Sequence, residues 1–111
     1  MNRLATGELT GLVVVVTGAT GSAGRAAVYA LSRSGADVVA VGRDVGRLTA
    51  LFGGHGGVSL EAADVADRAA CADLVERVRD RYGRVDGLVH LVGGWRGGRG
   101  FSANEIGRAH V

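Results

Sequence analysis

The segment with the clearest chemical potential is a glycine-rich turn, TGATGSAG, at residues 17–24. Gly18, Gly21 and Gly24 recur at intervals of three between a predicted strand and a predicted helix. In that setting one glycine permits a tight turn, another lets the backbone approach a pyrophosphate, and a third lets helix and strand pack closely. The helix that follows presents free N–H groups to phosphate oxygens. The spacing therefore predicts a dinucleotide site.

The end of the second predicted strand bears on which dinucleotide is bound. Proteins that prefer NAD usually carry an acid there for the ribose 2′-hydroxyl, whereas this sequence has Gly42 followed by Arg43. A guanidinium can pair with a 2′-phosphate and stack on adenine. The sequence therefore favours NADP over NAD as the cofactor, the alternative being that Arg43 is a solvated residue at the start of a helix.

Strands and helices alternate along the chain, and they determine where these residues meet. The predicted strands are residues 12–16, 37–41, 58–62 and 88–92, and the predicted helices are 25–34, one capped by Asp44 and one capped by Asp67. Continuous β-branched runs with short connections indicate a buried parallel sheet. We predict an α/β fold, the first half of a Rossmann-type doubly wound sheet (β-α-β-α-β-α-β), with strand order 3-2-1-4.

Two residues of chemical interest are assigned to the core rather than to a site. His90 lies inside the apolar run LVHLV, so a core histidine is a better interpretation than a ligand or base. Cys71, the single cysteine, falls in the third predicted helix with Leu74, Val75 and Val78 at helical spacing and is taken as a small core residue.

The composition excludes several classes of function. The 111 residues include 13 basic residues, all of them arginine, so no mechanism can use a lysine of this chain. A net charge of +2 is no nucleic-acid footprint, and the longest apolar run, residues 12–16, is far too short to span a membrane. We expect one cytoplasmic domain with no metal site, no nucleic-acid partner and no membrane partner.

The glycine turn, the Asp64-Val65 pair and the segment DGLVHLVG at 86–93 together resemble the short-chain dehydrogenase/reductase family. The glycine spacing matches the TGxxGxxG form of the family's turn, while His90 and Leu91 stand where the family has asparagines. The resemblance implies an NAD(P)-dependent oxidoreductase that acts on a carbonyl or alcohol substrate and is homo-oligomeric when intact. The predicted cofactor-binding residues are Gly18, Thr20, Gly21, Ser22, Ala23, Gly24, Arg43, Asp64, Val65, Val92, Gly93 and Gly94.

The catalytic half of that family is not recognisable in this sequence. Family members use a Tyr-x-x-x-Lys pair, but this chain has only Tyr29 and Tyr82 and no lysine. We therefore assign no catalytic residue and expect residues 1–104, a partial NAD(P)-binding domain, to be inactive alone. The tail EIGRAHV at 105–111 equals one reading frame of a common sequencing-library adapter, and we expect it to be non-native.

Two alternative functions remain open at the level of sequence. A non-catalytic NADP-binding sensor of the NmrA-like type would share the GATGxxG turn, although the Asp64-Val65 pair and the DGLVHLVGG segment favour the enzyme branch. The segment WRGGRGF at 95–101 looks like an arginine-glycine box with aromatic residues, which is typical of RNA binders. It occurs once, in a loop after a Rossmann strand, so a loop over the cofactor is the simpler interpretation.

Overall fold

The structure, a computed structural model, describes residues 7–91 as alternating strands and helices. The strands are β1 (Val13–Thr17), β2 (Asp37–Gly42), β3 (Val58–Ala62) and β4 (Gly87–His90). The helices are α1 (Ser22–Arg33), α2 (Val45–Phe52) and α3 (Arg68–Tyr82). The four strands form one sheet in the order β3-β2-β1-β4, and every pairing is parallel. The predicted α/β fold and strand order are confirmed.

The valine-rich strands β1 and β2 are buried on both faces of the sheet, and for this reason their sequences are continuous apolar runs. Side chains alternate along each strand, so β1 and β2 contribute to two separate clusters. One cluster packs Val14, Val16, Val38 and Ala40 against Val28, Leu48 and Phe52 of α1 and α2. The other packs Val13, Val15, Val39 and Val41 against Leu74 and Val78 of α3.

Several boundaries differ from those predicted. Helix α1 begins at Ser22 rather than at residue 25, because the third glycine lies inside its first turn and not before it. Strand β4 ends at His90, whose side chain is exposed, so the assignment of His90 to the core was wrong. Val75 is 45% exposed and borders an open groove together with Leu74, Val78 and Leu88. Cys71 is half-buried, and its thiol lies 3.1 Å from the carbonyl oxygen of Val65.

Asp86, just before β4, is hydrogen-bonded to the start of β1. Its backbone N–H donates to the Val13 carbonyl, and its carboxylate accepts the Val13 N–H, each at 2.8 Å. The Arg84 guanidinium approaches the same carboxylate to 2.7 Å. The hydrogen bond from Arg84, and then the one from Val13, hold the pKa of Asp86 below its ordinary value of 3.8.

This lowered pKa predicts a pH-dependent contribution to stability. A carboxylate with a lowered folded-state pKa stabilises the fold above its unfolded-state pKa, and the contribution is lost as the pH falls through the folded-state value. We expect Asp86→Asn to melt at a lower temperature than the wild type above about pH 5, with the gap closing as the pH falls below 3.8. Thermal unfolding followed by circular dichroism between about pH 2 and 7 measures the gap.

Asp73→Asn is the matched control for this prediction. Asp73 is an exposed residue of α3, and within residues 7–91 its carboxylate makes no hydrogen bond or ion pair. Its melting curves should follow the wild type throughout. A melting-temperature gap for Asp86→Asn that persists unchanged at the acid end of the range would contradict the linkage.

Candidate dinucleotide-binding site

The carboxyl ends of all four strands border one groove of about 560 Å³. The chain leaves β1 towards β2 on one side and returns from β3 to β4 on the other, so the strand order reverses between β1 and β4. Open parallel sheets bind ligands at such a reversal, outside the carboxyl ends of the strands. We call this the switch-point groove. Its lining residues are Gly18, Thr20, Gly21, Val41, Gly42, Arg43, Ala63, Asp64, Val65, Ala66, His90 and Leu91.

The glycine turn joins β1 to α1 along one wall of the groove. Gly18 has a φ of +69°, a conformation that side chains disfavour. The Ala19 N–H donates to the Val41 carbonyl at 3.1 Å, which ties the turn to β2. A Cβ on Gly24 would lie 2.0 Å from the Gly18 carbonyl oxygen and 2.7 Å from the Cα of Ala19. Helix α1 can therefore start against this turn only because Gly24 lacks a side chain.

The first turn of α1 is left open, unlike those of the other two helices in residues 7–91. Asp44 accepts the N–H groups of the first turn of α2, and Asp67 does the same for α3. In α1 the N-cap residue is Gly21, with no side-chain cap, and the first turn contains no acid. Ser22 and Ala23 are exposed. The N-terminus of α1, with its partial positive charge, is thus available to an anion.

The end of β2 supplies a cation and no acid. Arg43 is exposed and borders the groove directly after Gly42. A Cβ on Gly42 would lie 3.4 Å from both Leu48 Cδ2 and Thr20 Cγ2, so a longer side chain there would be crowded. This corner of the groove suits a negatively charged substituent.

Across the groove, Asp64 and Val65 follow β3. The Asp64 carboxylate accepts the Ala66 N–H at 3.0 Å, and the Asp64 carbonyl accepts the Asp67 N–H at 2.9 Å. These two bonds hold the turn between β3 and α3 in one conformation. Asp64 is exposed, so its second carboxylate oxygen can accept a further hydrogen bond from a ligand.

His90 is the groove residue that the sequence interpretation missed. It ends β4 opposite Thr17, which ends β1, and its Nδ1 lies 2.8 Å from the Thr17 Oγ1. The available signal was its place at the carboxyl end of a parallel strand, where ligands bind, but a predicted strand running to residue 92 hid that position.

The structure brings half of the predicted cofactor-binding residues into this groove. Gly18, Thr20, Gly21, Arg43, Asp64 and Val65 line it. Ser22, Ala23 and Gly24 form the adjoining first turn of α1 and do not themselves line the groove. Val92, Gly93 and Gly94 lie outside the described residues, as do the arginine-glycine segment at 95–101 and the tail at 105–111.

Two further observations concern the same part of the chain. Residues 7–91 contain no group of three or more histidine, cysteine, aspartate or glutamate side chains that could hold a metal ion. None of the three helices described there has the length and apolar character that crossing a membrane requires.

Comparison with known proteins links this geometry to one family, described as short chain dehydrogenase, whose profile matches residues 12–108. One relative, named "Putative daunorubicin C-13 ketoreductase DnrU" of Streptomyces sp. (strain C5), is 43% identical over 93 residues, which are 79% of this chain and 32% of that protein. A 3beta-hydroxysteroid dehydrogenase of Mediterraneibacter gnavus is 34% identical over 87 residues, covering 73% of this chain and 31% of its own length.

A solved structure agrees with these relatives. The citronellol catabolism dehydrogenase AtuB of Pseudomonas aeruginosa PAO1 superposes with a TM-score of 0.74 at 28% identity, covering 93% of this chain and 44% of that one. The chain spans about a third of the length of the curated relatives described above, 32% and 31%.

Proposed function

The chain belongs to the short-chain dehydrogenase family, and from that premise we propose that it is the NADP(H)-binding half of an oxidoreductase acting on a carbonyl or alcohol substrate. The observation that carries the proposal is the uncapped first turn of α1, which meets a glycine turn at the switch-point groove. A family relationship supports a dinucleotide in general, whereas the choice of NADP over NAD rests on Arg43. We further propose a cytoplasmic protein that is homo-oligomeric when intact.

Three parts of the dinucleotide have counterparts among the residues that line the groove or adjoin it. The pyrophosphate would lie against the backbone N–H groups of Ser22 and Ala23, where the partial charge of the helix favours an anion. Arg43 would pair with the 2′-phosphate, and the carboxylate of Asp64 would accept from the amino group of adenine. When bound, the nicotinamide ring supplies or accepts the hydride.

We propose that these 111 residues bind the cofactor without turning over a substrate. The family's tyrosine acts as the general acid or base with help from a lysine, and this chain contains no lysine. The Tyr29 hydroxyl donates to the Leu51 carbonyl at 2.9 Å, at the opposite end of the sheet from the groove. Tyr29 therefore joins α1 to α2 and is not placed to act on a substrate in the groove. Turnover by the purified chain above a no-enzyme control would contradict this part of the proposal.

The preference for NADP is tested by Arg43→Ala. Loss of a charge-assisted hydrogen bond should weaken NADPH binding by roughly tenfold to a hundredfold, and NADH binding by less than about threefold. Isothermal titration calorimetry with both dinucleotides, on the 111-residue chain, measures the two constants.

Arg47→Ala is the matched control for this measurement. Arg47 is an exposed arginine on α2, four residues further along, and it does not border the groove. Arg47→Ala removes the same charge as Arg43→Ala but at a position outside the groove. Its affinity for NADPH should therefore stay near that of the wild type. An equal loss of NADPH and NADH binding in Arg43→Ala would mean that Arg43 does not read the 2′-phosphate.

A further inference from the structure

His90 combines three properties that its role in the fold does not require. It is exposed, it borders the same groove as the glycine turn, and its ring is fixed by one hydrogen bond to Thr17 through Nδ1. Within residues 7–91 its Nε2 has no hydrogen-bond partner. Histidine is also the residue type whose charge changes between pH 5 and 8. A titratable group is therefore held at the carboxyl end of β4, beside the switch point.

We propose that His90 is a pH-responsive binding residue of the switch-point groove, which holds the phosphate-bearing dinucleotide more tightly when its ring is protonated. The inference rests on the proposed function, since the dinucleotide is the anion that the charged ring attracts. It goes beyond that function because it adds a ligand-binding side chain and makes cofactor affinity respond to pH.

The hydrogen bond to Thr17 can serve both protonation states of the ring. The Thr17 hydroxyl is buried and lies within reach of two groups, the His90 Nδ1 at 2.8 Å and the Val89 carbonyl at a longer 3.5 Å. With Nδ1 unprotonated, the hydroxyl donates to the ring. With Nδ1 protonated, the ring donates to the hydroxyl, which can then turn its own proton to Val89. No buried polar group loses its partner, so the ring can change charge without a large structural cost.

The other charged and titratable groups around His90 are few. Arg43 and Asp64 border the switch-point groove with it. On its other side, His90 borders a second groove on the α3 face of the sheet, where Cys71 and Arg79 are the titratable groups. The arginines stay charged throughout the accessible range. Histidine is the residue type among these that commonly changes charge between pH 5 and 8, so a pH dependence that comes from the protein and not from the ligand would report on His90.

The test measures NADPH binding to the 111-residue chain by isothermal titration calorimetry at about pH 5.5 and 8, in pairs of buffers that differ in ionisation enthalpy. We expect the wild type to bind about threefold to tenfold more tightly at the lower pH and to take up a fraction of a proton on binding. His90→Asn should lose both that gain and the uptake. His90→Gln serves as a second variant, and a thermal melt establishes that each is folded.

His55→Asn is the matched control, since His55 contacts Ser32 at the far end of the sheet and does not border the groove. It should retain the pH dependence of the wild type. Because the 2′-phosphate of NADPH also titrates, the comparison between variants with the same ligand isolates the protein's proton. Binding that keeps its full pH dependence in His90→Asn and His90→Gln would overturn this inference alone. Absence of dinucleotide binding by the wild type at both pH values would overturn the proposed function as well.

Discussion

Replacing Gly24 with alanine is expected to lower the melting temperature of the chain by about 12–24 °C, because an added Cβ approaches its neighbours more closely there than at any other glycine of residues 7–91. The added Cβ would lie 2.0 Å from the Gly18 carbonyl oxygen, and the neighbours it meets are backbone atoms. Helix α1 would have to move away from β1, and the cluster around Val28 would loosen. We expect a loss of about 3 kcal/mol in the free energy of unfolding. Circular dichroism melts measure it.

Gly56→Ala is the matched control for that experiment. Gly56 is exposed, has no positive φ, and a Cβ there would meet nothing within 4 Å. The same chemical change should therefore move the melting temperature by only a few degrees. If Gly24→Ala melted as close to the wild type as this control does, the tight approach of α1 to the glycine turn would not exist.

Replacing Gly21 with aspartate is expected to move stability and dinucleotide binding in opposite directions. Gly21 is the N-cap residue of α1, its φ and ψ of −78° and 168° are ordinary for that position, and an added Cβ would make only a 3.6 Å contact. An aspartate should cap the helix as Asp44 and Asp67 cap α2 and α3, raising the free energy of unfolding by about 0.5–1 kcal/mol. The aspartate would also occupy the N–H groups to which we assign the pyrophosphate, and its charge would repel that anion.

We therefore expect the affinity of Gly21→Asp for NADPH to fall by on the order of a hundredfold while the chain becomes more stable. Gly21→Asn separates the two causes, because asparagine caps a helix about as well without the charge. It should gain less stability, a few tenths of a kcal/mol, and lose about tenfold in affinity. Unchanged NADPH binding by Gly21→Asp would exclude the N-terminus of α1 as the phosphate site. Thermal melts and calorimetric titrations on the same samples give both quantities.

The sequence predicted the sheet because its signals are local. A run such as VVVV has few alternatives to a buried strand, and Asp44 and Asp67 mark helix starts by their own hydrogen bonds. Strand order followed from the glycine turn, since a doubly wound sheet allows few arrangements of four strands with three helices. The site residues of the glycine turn could be predicted from the sequence because their signal is also local.

The other features of the groove depend on where strands and helices end, and sequence patterns define those ends poorly. The run LVHLV does not reveal that pairing with β1 stops at His90, so a groove residue was taken for a core residue. The same uncertainty placed the start of α1 after Gly24, although close packing rather than turn geometry requires that glycine. The contact between Thr17 and His90 joins positions 73 apart in the chain, and no local pattern predicts it.

The central place of β1 also has a consequence for the lifetime of the site. β1 is hydrogen-bonded to β2 and β4, and all five of its residues are buried. Within residues 7–91, β3 and β4 each have a single neighbour, so either can detach in a partial opening that leaves the centre of the sheet intact. The glycine turn continues directly from β1, which can leave the sheet only when its pairings with β2 and β4 are both lost. We therefore expect the walls of the groove to open locally while the glycine turn stays anchored, so that the turn is the last part of the groove to unfold.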